Sequence, residues 1–190
     1  MFDLYKIIKP FLFLLNPEFA HNCIIKYLKL RSYFYKEVVD DKNLKTSLAG
    51  INLSNPLGIA AGFDKDGEAI IGINNLGFGF IEVGSVTPRP QTGNPKPRLF
   101  RLKEDKAVIN RMGFNNAGQI SVLGHIRKVR DKPIVIGINL GANKDTKHFL
   151  DDYLNGFETF IDAVDFIVIN ISSPNKPGLT DLQEEKSLIN

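Results

Sequence analysis

Several residue types that build common functional sites are scarce in this chain of 190 residues. Cys23 is the single cysteine, so an internal disulfide is impossible and a reducing compartment fits the composition best. The three histidines, His21, His125 and His148, do not have the spacing of metal ligands. We therefore expect neither a structural disulfide nor a metal centre.

Long apolar runs are also absent. A helix that spans a bilayer needs about 20 consecutive apolar residues, whereas the longest early run extends only from Phe11 to Leu15. Asp3 lies where a secretory signal would carry basic residues, and no clear small-residue cleavage site follows the run. The sequence predicts a soluble or peripheral protein that does not cross a membrane.

The usual nucleotide-binding patterns are missing. The chain has no Walker A sequence. Gly77-Phe78-Gly79-Phe80 resembles the start of a dinucleotide fingerprint, but Glu82 occupies the position of the third glycine. The glycine pair also precedes a strand pattern, whereas the fingerprint follows one. We therefore exclude a Rossmann NAD site.

Positively and negatively charged residues are nearly equal in number, with 24 Lys or Arg against 21 Asp or Glu. The formal net charge is +3, and residues 1–50 hold eight Lys or Arg against five Asp or Glu, so the whole excess lies at the N-terminus. No basic cluster is interleaved with aromatic residues, which argues against a nucleic acid partner. The mild basic bias is compatible with attraction to an anionic membrane surface and also with ordinary solvation of a helical pair.

Residues 1–37 have the pattern of two short helices. Apolar residues recur in both at helical spacing. Asn16 followed by Pro17 is typical of a helix start, since Asn can cap and Pro suits the first turn. Leu12 to Leu15 are more apolar than a small solvated hairpin requires. Such a pair either docks on the main body, which the residues favour, or offers an apolar face to lipid or a greasy ligand.

The rest of the chain repeats the order of apolar strand, polar tip and amphipathic helix. The strand patterns are 57–61, 80–86, 134–140 and 166–171, and helical patterns follow at 67–76, 119–130 and 147–164. Residues 38–50 are charged and predict a connector, and residues 50–56 predict a short edge strand and a turn. The alternation favours an α/β fold with right-handed βαβ crossovers and a parallel sheet.

Two further segments have readable patterns. Residues 98–102 and 107–111 flank the turn Lys103-Glu104-Asp105-Lys106, which predicts a β-hairpin laid over the strand tips. Near the C-terminus, Thr180 and Gln183 have capping-box spacing, which predicts the start of another helix.

Polar residues follow the strand patterns at the end where α/β folds place their chemistry. Asn139 and Asn170 are the clearest candidates, because amides can donate and accept toward a heterocycle and are costly to bury unpaired. Residues 60–65 combine small side chains with a cation, which fits a flat cofactor or anionic substrate, although a tight turn with a solvated lysine fits better. Ser172 and Ser173 fit a turn, since no activating His or carboxylate is adjacent in sequence.

Four segments are informative in combination: Asn-Pro-Leu-Gly-Ile-Ala-Ala-Gly-Phe-Asp-Lys (55–65), Gly-Ser-Val-Thr-Pro-Arg-Pro-Gln-Thr-Gly-Asn (84–94), Asn-Arg-Met-Gly-Phe-Asn-Asn (110–116) and Asn-Ile-Ser-Ser-Pro-Asn (170–175). In this order they closely resemble the class 2, quinone-dependent dihydroorotate dehydrogenases. The similarity runs from the N-terminal helices to the last residue.

The resemblance implies a (β/α)8 TIM barrel with FMN over the C-terminal strand ends. It implies oxidation of dihydroorotate to orotate in de novo pyrimidine (UMP) biosynthesis, with a membrane quinone as electron acceptor. Residues 1–37 would form a helical extension that lies on the membrane and admits quinone. Residues 38–190 would form a partial barrel with an FMN and orotate half-site. The implied location is peripheral, on the cytoplasmic side of the cell membrane.

The resemblance also assigns site residues. Those expected to line FMN are Ala60, Ala61, Gly62, Phe63, Asp64, Ser85, Asn139 and Asn170. Those expected to hold the substrate are Lys65, Asn110, Arg111, Met112, Gly113, Phe114, Asn170 and Asn175. Ser173 matches the family's catalytic base, where class 1 relatives carry cysteine. An unassisted serine hydroxyl is a poor base, so Ser173 would need a water relay or local hydrogen bonds.

The chain differs from the family in extent. It supplies about four of the eight barrel units that the fold requires. In the family, the later strands carry a flavin-contacting lysine, further substrate contacts and a glycine-rich phosphate site. We therefore expect a truncated form that is not active alone. The alternatives are an inactive fragment that retains at most membrane binding, and one half of a split enzyme completed by a second chain.

Overall fold

The computed structural model describes residues 4–34, 42–173 and 179–183. The helices are α1 (Leu4–Leu14), α2 (Pro17–Arg31), α3 (Ile70–Asn74), α4 (Gln119–Arg127) and α5 (Phe149–Phe160). The strands are β1 (Thr46–Leu48), β2 (Ile51–Leu53), β3 (Gly58–Ile59), β4 (Phe80–Val86), β5 (Leu99–Leu102), β6 (Ala107–Asn110), β7 (Ile136–Leu140) and β8 (Phe166–Ile169). Short 3-10 helices lie at Lys42–Leu44 and Thr180–Gln183.

The predicted asparagine, Asn16, caps the N-terminus of the second helix. Asn16 Oδ1 accepts hydrogen bonds from the backbone N–H groups of Glu18, at 3.0 Å, and Phe19, at 3.2 Å. These bonds satisfy donors that the first turn of a helix otherwise leaves free, which confirms the predicted helix start. Further along, α2 packs against α3, and Leu28 is only 2% exposed. The N-terminal pair is therefore anchored to the body of the protein through α2.

Four strands form one parallel sheet in the order β3-β4-β7-β8. The register places Gly84 of β4 opposite Asn139 of β7, and Asn139 opposite Val168 of β8. Helices α3, α4 and α5 connect successive strands, which confirms the expected βαβ alternation of a partial (β/α)8 barrel. The carboxyl ends of the strands meet at one edge, where the polar tips lie.

The core lies between the sheet and its helices and consists of fully buried aliphatic residues, among them Ile70, Ile73, Ile81, Val83, Val122, Ile126, Ile136 and Ile138. On the strands, the residues between these face the other way. There the rings of Phe80 and Phe166 meet edge to face, with 6.1 Å between centroids. Gly137 makes room for them, because a Cβ at that position would lie 2.1 Å from the Phe166 ring. Aromatic rings thus occupy the inner face toward the amino ends of the strands.

Two antiparallel hairpins accompany the sheet. β5 and β6 pair from Leu99 opposite Asn110 to Leu102 opposite Ala107, which confirms the predicted hairpin. β1 pairs with β2. The charged connector predicted over residues 38–50 is wrong for Thr46–Leu48, because pairing with β2 makes a strand of residues that are all exposed and show no apolar alternation.

The helix predicted from the capping-box spacing at Thr180 and Gln183 is a single 3-10 turn within the described residues. The residues after Gln183 lie outside the part of the chain that the structure describes, as do residues 35–41 and 174–178. Leu179, just before this turn, is fully buried and belongs to the core cluster. The segment after β8 is therefore packed back onto the body at this point.

Candidate functional site

A cavity of about 560 Å³ lies over the carboxyl ends of the parallel strands. Its lining comes from α2, from the loops after β3 and β8, from β4 and β7, and from the β5–β6 hairpin and the loop that follows it. The lining residues are Glu18, His21, Ala60, Ala61, Gly62, Lys65, Glu82, Ser85, Leu99, Asn110, Met112, Gly113, Phe114, Asn139, Asn170 and Ser173. Most residues that the resemblance assigns to FMN or substrate therefore share one cavity.

The loop after β3 forms a wall of small residues. Gly62 has φ +102°, a conformation that favours glycine, and its N–H donates to the Gly84 carbonyl at 2.7 Å. A Cβ at Gly62 would have only the Lys65 ammonium nitrogen within 4 Å, at 3.9 Å. The space beside Ala60, Ala61 and Gly62 is therefore open, and a flat ligand can approach the backbone closely.

Lys65 brings a cation to this cavity. Burial lowers the pKa of its ammonium below the ordinary value of 10.5, the positive charge of Arg98 adds to this effect, and the carboxylates of Asp66 and Glu18 oppose it. Within the described part of the chain, the ammonium makes no hydrogen bond or ion pair. A half-buried ammonium that no carboxylate contacts is a suitable partner for an anionic ligand.

Amides and a hydroxyl from β4, β7 and the residue directly after β8 form one network. Asn170 Nδ2 donates to Ser85 Oγ at 3.0 Å and to Asn139 Oδ1 at 3.2 Å. The Ser85 hydroxyl donates to Asn139 Oδ1. Ser85 and Asn139 are buried, whereas Asn170 is half-buried. These three residues offer an ordered polar edge to any ligand in the cavity.

The two serines after β8 have different surroundings. Ser172 donates from both its backbone N–H and its hydroxyl to Asn170 Oδ1, at 3.3 Å in each case, and is exposed. Ser173 is half-buried and lines the cavity. Asn175, which the resemblance assigns to the substrate, lies outside the described residues.

The segment after β6 enters the cavity through two left-handed residues. Gly113 has φ +73° and Phe114 has φ +51°. Asn94 holds this turn, because its backbone N–H donates to the Met112 carbonyl at 2.9 Å and its Nδ2 donates to the Arg111 carbonyl at 2.9 Å. The turn places Met112, Gly113 and Phe114 against the cavity.

Three residues with a predicted ligand role do not line this cavity. Phe63 packs edge to face against His21, with centroids 5.4 Å apart. Asp64 is 2% exposed and accepts from the backbone N–H groups of Glu68 and Ala69 at 2.9 and 2.8 Å, and burial raises the pKa of its carboxyl. The Arg111 guanidinium donates to the Pro97 carbonyl at 3.0 and 3.3 Å.

Four of the residues that line the cavity were not predicted from the sequence as site residues: Glu18, His21, Glu82 and Leu99. His21 Nε2 lies 2.7 Å from the Phe63 carbonyl oxygen. Glu18 is buried and pairs with the equally buried Arg98 at 2.7 Å, and the hydrogen bond from Arg98 lowers the pKa of the Glu18 carboxyl. No motif marks these residues, because a first-turn glutamate and a strand glutamate are both usually solvated.

Metal chemistry has no centre in the described residues, where no group of three His, Cys, Asp or Glu side chains could hold an ion. The polar groups that line the cavity are the Lys65 ammonium, the His21 imidazole, three asparagine amides, two serine hydroxyls and the carboxylates of Glu18 and Glu82.

Comparison with known proteins gives a consistent result. The family model "Dihydroorotate dehydrogenase" matches residues 43–190. A curated "Dihydroorotate dehydrogenase (quinone)" from Bartonella henselae is 52% identical over 177 residues, which cover 93% of this chain and 48% of the relative. A protein of the same name from Rhodospirillum rubrum is 49% identical over 188 residues, which cover 99% of this chain and 51% of the relative. The chain thus spans about half the length of the curated relatives it matches.

Solved structures show the same likeness. The crystal structure of DHODH from Eimeria tenella in complex with ferulenol has a TM-score of 0.83 and 43% sequence identity, and the match covers 91% of this chain and 48% of that one. The ligand-free structure from the same organism also has a TM-score of 0.83, at 44% identity, with coverage of 90% and 50%. The match thus covers about half of each solved structure, as it does for the curated relatives.

Proposed function

Because this chain belongs to the dihydroorotate dehydrogenase family, we propose that it carries the substrate-oxidising half of a quinone-dependent enzyme that converts dihydroorotate to orotate in pyrimidine biosynthesis. The observation that carries this proposal is the single cavity over the strand ends, where Lys65, Asn139, Asn170 and Ser173 meet. A cation, two amides and a hydroxyl are the groups that an anionic pyrimidine and its ring proton require.

FMN is the cofactor that we propose for this cavity. Ala60, Ala61 and Gly62 leave room for a flat ring system, and Asn139 and Asn170 present an ordered amide edge beside it. When bound, FMN supplies the hydride acceptor. Ala60, Ala61, Gly62, Ser85, Asn139 and Asn170 would line it. Asp64 would act at one remove, since its carboxylate fixes the turn that follows Lys65.

The substrate carboxylate would pair with Lys65. Its ammonium is half-buried in the cavity wall, so a charge-assisted hydrogen bond formed there is less screened than one at the surface. Asn110 and the turn at Met112–Phe114 would enclose the pyrimidine from the hairpin side. The roles assigned to Asn170 and Asn175 complete this proposed set.

Ser173 would remove the ring proton. It faces the cavity, whereas Ser172 bonds to Asn170, so only one of the two hydroxyls is available to a ligand. A serine hydroxyl needs an acceptor for its own proton in order to act as a base near neutral pH. We propose that a water relay along the cavity provides that path.

The chain alone would not hold FMN firmly. The FMN phosphate needs backbone donors of the kind that the last loops of a (β/α)8 barrel provide, and the chain spans about half of its relatives. Among the described strands, β3 and β8 each pair on one side only. We therefore propose that turnover requires the rest of the barrel, either in one longer chain or from a second chain.

Residues 1–37 would form the part that meets the membrane and quinone. Large apolar side chains on α1 and α2 are exposed, among them Ile7, Phe11, Leu14, Phe19, Tyr27 and Leu30. No helix in the described ranges is long and apolar enough to cross a bilayer. Exposed apolar residues beside Lys6 and Lys9 suit a helix that lies on an anionic surface, which supports peripheral contact on the cytoplasmic side.

Liposome flotation of the whole chain tests the membrane contact. We expect the chain to float with anionic vesicles and the Phe11→Glu/Leu14→Glu variant to remain in the soluble fraction, because these side chains are 67% and 82% exposed on α1. Ile120→Glu is the matched control, since Ile120 is 83% exposed on α4, away from the N-terminal pair. Equal flotation of the wild type and both variants would contradict a membrane role for α1.

Anaerobic flavin reduction tests the proposed reaction. In a fusion of this chain with the remaining half of the Rhodospirillum rubrum relative, dihydroorotate should bleach the flavin absorbance. Ser173→Ala should slow the bleaching by about 10²–10⁴-fold, the usual contribution of a general base, without changing flavin content. Ser121→Ala, on the exposed side of α4, is the matched control. A flavin-loaded fusion that dihydroorotate does not reduce would refute the proposal.

A further inference from the structure

A carboxylate lies at the end of the amide network in the cavity. Glu82 is in the middle of β4 and lines the cavity, and its Oε1 accepts a hydrogen bond from Asn139 Nδ2 at 2.7 Å. Within the described residues, Glu82 makes no ion pair. It is half-buried on the inner face of the sheet, where the neighbouring inward residue of β4 is Phe80. A charged side chain at such a position loses part of its hydration, so we expect it to have a structural or functional role.

An ionised carboxylate can accept hydrogen bonds but cannot donate them. Glu82 therefore obliges Asn139 to turn its Nδ2 toward β4. The Asn139 Oδ1 must then point the other way, where it accepts from the Ser85 hydroxyl and from Asn170 Nδ2 at 3.2 Å. An amide alone could adopt either orientation, since its two ends differ little in shape.

The same constraint continues to the loop after β8, which carries the serines. Because Asn170 gives its Nδ2 to Ser85 and Asn139, its Oδ1 faces the opposite side and accepts from the backbone N–H and hydroxyl of Ser172. In this series of hydrogen bonds, every donor thus points from Ser172 toward Glu82. One carboxylate sets the direction of hydrogen bonds across three strands.

We propose that Glu82 is a positioning residue, which fixes the amide orientation of Asn139 and, through it, that of Asn170 and the hydroxyl direction of Ser85. One part of the inference rests on the proposed function: that these amides present fixed donors and acceptors to the flavin and the pyrimidine. Its structural content does not depend on either ligand. Glutamine has the same shape as glutamate but can donate as well as accept, so Glu82→Gln removes the constraint without making a cavity.

Side-chain amide NMR of the whole chain, labelled with ¹⁵N-asparagine and free of ligand, tests the proposal. In the wild type, Asn139 and Asn170 should each give one pair of Nδ2 proton signals. In Glu82→Gln, the Asn170 signals should shift or double, although Asn170 does not contact residue 82. Glu82→Asp keeps the carboxylate and should keep single signals. Glu158→Gln, an exposed glutamate on α5, is the matched control and should change nothing.

Unchanged Asn170 signals in a folded Glu82→Gln variant would overturn the proposal. Hydrogen exchange in the wild type gives a second test that needs no variant. The Nδ2 protons of Asn139 should exchange more slowly than those of Asn155, which is exposed on α5. Equal exchange rates would also overturn it. If the signals respond as expected but dihydroorotate fails to bleach the flavin-loaded fusion, the network is as inferred and the proposed function is wrong.

Discussion

At the scale of single residues, the cavity depends on a few charges held away from water. Lys65 shows that burial disfavours a charge, because burial lowers the pKa of its ammonium. Glu18 shows that an opposite charge can offset burial, since the Arg98 guanidinium holds the pKa of the Glu18 carboxyl below the ordinary value of 4.5. Both side chains line the cavity, but among the described residues only Glu18 is in an ion pair.

The first prediction concerns the pH dependence of orotate binding through Lys65. Since the ammonium form binds the carboxylate and its pKa is lowered, affinity should fall as pH rises through a value below 10.5. In the flavin-loaded fusion, Lys65→Gln should weaken orotate binding at neutral pH by about 1.5–3 kcal/mol, the value of a hydrogen bond to a charged group. Calorimetric titration across pH measures both effects. The alkaline decline due to this group should be absent in the variant, and its persistence would exclude Lys65 as the origin.

The second prediction concerns the buried pair of Glu18 and Arg98. Glu18→Ala leaves the guanidinium without its carboxylate, so the free energy of unfolding should fall by about 3 kcal/mol, the lower end for a broken buried pair, because the Thr92 and Asn94 carbonyls still accept from Arg98. Urea denaturation measures the loss, with Glu158→Ala as an exposed control.

The pH dependence of this pair has a definite sign. The folded-state pKa of Glu18 is lowered, so its stabilisation is present above the unfolded-state value near 4.5 and is lost as pH falls through the folded-state value. The difference in unfolding free energy between the wild type and Glu18→Gln should therefore shrink at acid pH. A difference that stays constant from neutral pH to acid pH would show that Glu18 is not ionised in this pair.

At the scale of elements, the N-terminal helices are attached through a close backbone contact. The Gly72 N–H in α3 donates to Ser32 Oγ at 3.0 Å, next to the end of α2. A Cβ at Gly72 would lie 2.1 Å from the Leu28 carbonyl oxygen. The absence of a side chain at Gly72 thus allows α2 to approach α3 closely.

The third prediction follows from this contact. Gly72→Ala should force α2 away from α3 and lower the free energy of unfolding by about 1–3 kcal/mol, the range for overpacking. Gly124→Ala in α4 has nothing within 4 Å of the added Cβ and should instead stabilise by about 0.5–1 kcal/mol, through helix propensity. Thermal or urea unfolding compares the two. Equal effects would show that the α2–α3 contact is not tight.

Much of this architecture was predictable because apolar runs ended in polar tips. The strand predicted over 80–86 is confirmed residue for residue, and the others are confirmed with shorter bounds. Helix α3 is only five residues long, Ile70–Asn74, because the Asp64 carboxylate bonds to the N–H groups of Glu68 and Ala69 and so orders the approach to the helix as a turn. Tertiary bonds of that kind leave no local pattern in the sequence.

The site residues were predictable at or near the carboxyl ends of the strands and not in the middle of a strand. Asn139 and Asn170 follow apolar runs, so their position alone marked them. Glu82 sits inside a strand, where alternation makes a charged residue look solvent-facing, and only curvature of the sheet into a barrel turns that face toward a cavity. The pairing of Glu18 with Arg98 joins residues that are 80 positions apart, which no local pattern can reveal.

At the scale of the whole molecule, the described residues form a parallel sheet with one cavity over the carboxyl ends of its strands. The four described parallel strands bring the proposed substrate-binding groups to one cavity, while β3 and β8 each leave one side unpaired among the described residues. The chain spans about half of its curated relatives. We infer a division of labour in which this half positions substrate and base, and the remainder holds the FMN phosphate.

The most direct test of that division is steady-state quinone reduction driven by dihydroorotate, measured for the separate chain and for its fusion with the remaining half of the Rhodospirillum rubrum relative. We predict that the fusion retains FMN and turns over, that its Ser173→Ala variant retains FMN without comparable turnover, and that the separate chain does neither. A separate chain that purifies with stoichiometric flavin and reduces quinone at the rate of the fusion would contradict the account.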